Sequence, residues 1–325
     1  MGQATKIATF GSCFAQHFGR HLRDREFAWV NGEQPPKHLS EANCKKFGYN
    51  MFSARTGNIY TTSLLKQWIN WSVGAQIPPD EVWEKEGRYY DPFRPNIEPD
   101  GFGDISEMQR SRDVTIEAFR GVIQNCDVFV FTLGLTESWF NTQTKTEYPL
   151  CPGTVAGEFD GSIHKFIAQD IDFVLQNLRD SMAMMRKING RIRFLFTISP
   201  VPLVATNSGK HVLVATSASK AILRTAAETM VLEYEFADYF PSFEIINSPV
   251  FKGVFFEDNL RSVREEGVEF VMKNFFERVV LAENGVRIKK AVKVLRNAID
   301  EDDTQAETFC DEELLDAFAP NSGGE

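Results

Sequence analysis

The sequence predicts an α/β three-layer sandwich built on a mostly parallel central sheet, and three features carry that prediction. Residues 127–133 (DVFVFTL) form a near-continuous β-branched and aromatic run, the composition of a strand covered on both faces. Residues 192–198 repeat it, and residues 6–10 are a shorter version. Amphipathic helical stretches separate these runs, an alternation that puts helices on the faces of a parallel sheet.

The first run leads into Gly11-Ser12-Cys13-Phe14-Ala15, after which Phe14, Phe18 and Leu22 fall on one helical face. Strand, tight turn and helix in that order lift a hydroxyl off a sheet edge and point a helix N-terminus at it. Such a turn suits a nucleophile whose developing charge backbone N–H groups can hold. Ser12 is therefore a candidate nucleophile, and by residue type it is equally a helix N-cap. Cys13 is a weaker alternative, one residue off the turn.

Charge is concentrated at the C-terminus. Residues 300–325 hold ten acidic side chains and no Lys or Arg, which accounts for the whole net charge of −10 and leaves residues 1–299 formally neutral. A neutral body has no electrostatic footprint for nucleic acid. No apolar run approaches the ~20 residues of a membrane span, and the N-terminus lacks a charged-then-apolar leader. The five cysteines show no redox or metal spacing, which fits reduced thiols in a cytoplasmic setting without metal or cofactor. His17 and His21 stand four apart but without companion ligands, and read as surface helical histidines.

Further along, residues 27–60 look irregular. Residues 63–73 read as a helix whose Trp68 and Trp71 pack inward. Residues 76–112 are rich in Pro and Gly and read as an insertion or flap, with Trp83, Tyr89, Tyr90, Phe93 and Arg94 either lining a cleft or pinning the loop down. A helix is expected over 113–125, a loop over 140–163, and a long amphipathic helix over 164–187 with Ile167 and Ile171 on its apolar stripe. Residues 216–236 form another helix; Ser217-x-x-Lys220 at its start matches a nucleophile pattern but reads as a capped helix opening. Residues 243–246 are expected as the last strand, and 263–281 as a covering helix. The expected domain spans 1–284, followed by a basic helix over 285–299 and an acidic, disordered tail over 300–325.

Several blocks together resemble the GSCFA family. They are Gly11-Ser12-Cys13-Phe14-Ala15, Phe47-Gly48-Tyr49-Asn50-Met51-Phe52, the 132–139 segment (TLGLTESW), Ile198-Ser199-Pro200-Val201-Pro202, and Tyr239-Phe240-Pro241-Ser242-Phe243-Glu244. The resemblance implies an SGNH/GDSL hydrolase frame with a flavodoxin-like sheet, and an activity that cleaves or transfers acyl groups on a glycan or small polar ester. It implies Ser12 as nucleophile, with Gly48, Asn50, Gly134 and Thr136 as oxyanion or substrate contacts. Thr136 and Glu137 stand where the wider group carries Asn and Asp. The usual Asp-x-x-His block corresponds to Asp258-Asn259-Leu260-Arg261, so Arg261 replaces the general base and cannot serve as one. His211 is the expected substitute, oriented by Glu137 or Glu244. The rival expectation is an inactive binding protein on the same frame that grips an anionic ligand through Arg261. The oligomeric state is left open.

Overall fold

A computed structural model describes residues 1–283, with side chains through Arg278. The expected basic helix and acidic tail lie outside the described residues. Four parallel strands form the central sheet: β1 (Ile7–Gly11), β4 (Val128–Leu133), β8 (Arg193–Ile198) and β9 (Ala237–Tyr239), in spatial order β1-β4-β8-β9. Outside β1, Trp29 bridges in parallel to Ile7, with Ile7 N–H on Ala28 O and Val30 N–H on Ile7 O. The succession of extended segments therefore reverses between β1 and β4. Ligands of open α/β sheets bind at such a reversal, beyond the carboxyl ends of the strands.

Both faces of the sheet are apolar because side chains alternate along each strand. Ala8, Phe10, Phe129, Phe131, Phe194 and Phe196 face one core, against α3 (Thr62–Ser72), α4 (Ile105–Asn125), α5 (Ile171–Ile188) and α6 (Val212–Glu233). Ile7, Val128, Val130 and Leu195 face the other, against α1 (Phe14–Asp24), α7 (Ser242–Asn247) and α8 (Glu265–Glu283). A short helix, α2 (Glu41–Lys46), sits in the segment read as irregular.

Several expectations change. The stretch from 164 is not one helix: His164–Ala168 is a strand, β7, paired antiparallel with β5 (Glu137–Asn141), and β5 also pairs β6 (Thr146–Tyr148). Asp170 then caps α5 by accepting from Phe173 N at 2.8 Å, so the helix starts seven residues later than its apolar stripe suggests. The same small sheet takes only residues 140–141 and 146–148 of the loop expected over 140–163, and the rest of that stretch is irregular as expected. Residues 243–246 belong to α7 rather than a strand, because Pro241 ends the extended run. His17 and His21 are buried rather than on the surface.

The Pro- and Gly-rich insertion is pinned, not loose. It carries a hairpin, β2 (Trp83–Lys85) and β3 (Arg88–Tyr90), and the start of α4, capped by Asp104. Trp83, Tyr90 and Phe93 are buried. Asp91, fully buried, pairs with Arg94 at 2.8 Å and Arg112 at 2.9 Å. Arg94 reaches on to Arg55 O and Thr115 Oγ1, and Thr115 donates to Glu33. Burial alone would raise the Asp91 carboxyl, but Arg112 and Arg94 outweigh it and hold it below its ordinary value. Removing one partner of such a set strands buried charge, a cost of about 3–5 kcal/mol.

Burial, reinforced by Arg20, pushes both His17 and His21 down to about 3. Below their unfolded value of about 6.5 the unfolded chain takes up protons that the folded chain refuses. Unfolding free energy, measured by denaturant titration, is expected to be highest above pH 6.5 and to fall as pH drops from 6.5 towards 4. A His17→Gln, His21→Gln variant should flatten that part of the curve; an unchanged slope would contradict the assignment.

Candidate functional site

The site starts from a glycine. Gly11 ends β1 at φ +132°, and a Cβ there would lie 2.3 Å from Thr132 O and 2.6 Å from Thr132 N. Only glycine lets β1 approach β4 so closely and turn. Ser12 N then donates to Thr132 O at 3.0 Å, which fixes the residue above the reversal point of the sheet. Ala15 N returns to Ser12 O at 2.8 Å, and α1 begins at Phe14 without a side-chain cap. Ser12 is thus no N-cap: Cys13 holds that position. Ser12 is 2% exposed, and its hydroxyl has no hydrogen-bond partner.

A small pocket of about 10 Å³ surrounds that hydroxyl, lined by residues that include Cys13, Gly134, Ser199, Leu203 and Lys220. Its volume is about that of one water site. Gly134 packs directly on the serine, since a Cβ there would sit 3.1 Å from Ser12 Cβ. Lys220, 4% exposed on α6, donates through Nζ to Gly134 O at 2.7 Å. Its neighbour Ser219 accepts from Thr136 N at 3.0 Å. One turn of α6 therefore holds the 134–136 segment in place and brings Lys220 into the lining of the serine pocket. Ser217, by contrast, is exposed and donates to Leu213 O at 2.8 Å, so the Ser217-x-x-Lys220 pattern pairs no nucleophile with this lysine.

The other expected residues are distributed around this centre rather than brought to it. His211 is exposed and caps α6, its Nδ1 accepting from Leu213 N at 3.3 Å, and it does not line the serine pocket. Glu137 accepts from Thr206 Oγ1 at 2.7 Å instead of from an imidazole, and burial raises its carboxyl against the opposing pull of that bond and of Lys210. It lines a neighbouring cavity of about 280 Å³ that shares Leu135 and Leu203 with the serine pocket. Glu244 is engaged by Arg224 and Tyr239.

The expected oxyanion donors are largely engaged elsewhere. Ser12 N serves Thr132 O, Gly134 N serves Tyr60 O at 3.1 Å, and Gly48 N serves Lys45 O at 3.1 Å. Asn50, at φ +61°, accepts from Asn31 through its side-chain oxygen at 2.7 Å. Thr136 is buried and hung from Ser219. Arg261 is half-buried in a turn where its N–H donates to Asn259 Oδ1 at 2.9 Å, and it lines neither the serine pocket nor the cavity beside Glu137. No group of three or more His, Cys, Asp or Glu side chains among the described residues has metal-site geometry. No helix among them is long and apolar enough to cross a membrane.

The sequence blocks that meet at this edge match the model of the GSCFA family over residues 6–275. The chain belongs to the GSCFA family. No curated protein matches it. In this GSCFA protein the Gly-Ser turn, the segment after β4 and the segment after β8 converge on one hydroxyl, while the 47–52 block walls a separate cavity. Lys220 was the residue sequence reading passed over. Its signal was a lysine on the buried stripe of α6, between Ala215, Ser219 and Leu223.

Gly11→Ala is expected to lower the unfolding free energy by at least ~2 kcal/mol, because the side chain meets backbone and the φ is strained. Thermal or denaturant unfolding checks this; a variant of unchanged stability would overturn the close-approach argument.

Proposed function

We propose that this protein is a serine-dependent acyl hydrolase or O-acyltransferase in which Lys220, not His211, receives the serine proton. The observation that carries the reading is the Ser12 hydroxyl, buried and without a partner in a pocket shared with the Lys220 side chain. A hydroxyl in that setting is costly to keep for packing alone. Ser12 Oγ attacks the acyl carbon, its proton passes to the neutral Lys220 amine, and the leaving alcohol takes that proton as the C–O bond breaks. Water, or an acceptor hydroxyl, then attacks the acyl-serine and restores Ser12. Burial disfavours the ammonium form, which is how a lysine becomes a base near neutral pH. The oxyanion faces the N-terminal turn of α1, which lacks a side-chain cap.

The pocket as folded has room for water but not for an acyl group. Substrate entry therefore requires part of its wall, such as the 199–203 segment that lines it, to move. That closure also favours the second reading, a binding protein on a hydrolase frame. The SGNH placement and a glycan or small polar ester as substrate belong to this proposal.

Labelling with a fluorophosphonate probe separates the two. Wild-type protein is expected to label, Ser12→Ala to lose the label entirely, and Lys220→Met to label at least ~100-fold more slowly, the usual contribution of a positioned base. His211→Ala should label at close to the wild-type rate. No labelling of folded wild type favours the binder; a Lys220→Met rate equal to wild type removes the lysine from the mechanism.

A further inference from the structure

A further hollow, of about 370 Å³, lies between α2, the 51–58 segment and the 93–99 loop. Small-molecule sites typically span about 300–1,000 Å³. Its walls are apolar, formed by Met51, Phe52, Phe93, Pro95, Ile97 and Pro149. No Asp or Glu lines it, which disfavours a cationic ligand. The loop over it does not collapse inward because Arg94, fully buried, is clamped to Asp91 and to Arg55 O. The hollow is preformed.

Two buried amides in its lining meet. Gln16 Nε2 donates to Asn58 Oδ1 at 3.5 Å, and the two residues are 8% and 4% exposed. Both are tied to the serine turn. Gln16 is about one helical turn beyond Ser12, and Ile59, next to Asn58, donates to Gly11 O at 2.8 Å. Lys45 stands in the lining on the α2 side.

We infer that this hollow binds an unbranched acyl chain of medium length, with its polar end at Gln16 and Asn58. That the chain belongs to the ester attacked by Ser12 rests on the reading above; the binding itself does not. It predicts selection for a chain longer than acetyl.

The test uses decanoate as the probe, titrated calorimetrically into the full-length protein. Wild type and Ser12→Ala should bind it with equal affinity. Ala42→Trp, which places an indole into the hollow from the exposed surface of α2, should weaken binding at least tenfold, with circular dichroism confirming the fold and Ala42→Ser binding as wild type. If wild type binds no decanoate, or Ala42→Trp binds it undiminished, the inference falls. The ester arm compares p-nitrophenyl octanoate with p-nitrophenyl acetate. Wild type should favour octanoate at least tenfold in kcat/KM, and Ala42→Trp should lose that preference. Decanoate binding without fluorophosphonate labelling upholds the hollow and sinks the nucleophile; labelling without decanoate binding does the reverse.

Discussion

The structure depends on a contact with no side chain in it: the backbone of Gly11 pressed against Thr132. A hydrogen atom fits in that gap and a methyl group does not. The contact carries the β1–β4 pairing through to Ser12 N and starts α1 two residues later. It sets the hydroxyl at the edge where the strand succession reverses. Each later block then has a surface to close on: Gly134 lies on the serine, and α6 hangs the 134–136 segment from Ser219 and Lys220.

Around that edge the chain uses buried polar groups in two ways. Beside the insertion, the carboxylates of Asp91, Glu33 and Glu98 balance Arg94, Arg112 and Arg55, and the set acts as a clamp. At the serine, a hydroxyl is left without a hydrogen-bond partner in a pocket whose lining includes an amine. The first arrangement satisfies its groups and fixes a loop. The second leaves a buried hydroxyl unsatisfied, as are the hydroxyls of Thr62, Thr132 and Ser181, but only at Ser12 does that atom sit at the turn above the sheet edge.

Much of the architecture was legible because local pattern and tertiary role agree. The 127–133 run is a central strand, and Phe14, Phe18 and Leu22 do face one core. The misreadings occur where the local pattern fits two structures. Residues 164–168 carry an apolar spacing that suits a helix, but pairing with β5 and the cap at Asp170 decide for a strand. Residues 243–246 have strand-like composition but follow a proline and lie against α8 as a helix. At the candidate site, the position of Ser12 on its turn was legible, whereas the burial of Lys220 was masked by Ser217, three residues upstream and facing solvent. His211 looked available because sequence shows that a histidine is present, not that it caps a helix. The clamp joins positions 33, 55, 91, 94 and 112, a pairing no local window contains.

The central claim is that Ser12 and Lys220 form one reacting pair. A crystal structure of the protein after treatment with a small fluorophosphonate tests it most directly. The account predicts phosphorus bonded to Ser12 Oγ, the 199–203 segment lifted, and Lys220 Nζ moved from Gly134 O to within hydrogen-bond distance of the adduct. An adduct on another residue, or a Ser12 adduct with Lys220 still held on Gly134 O and an imidazole at the phosphonyl group, would contradict it.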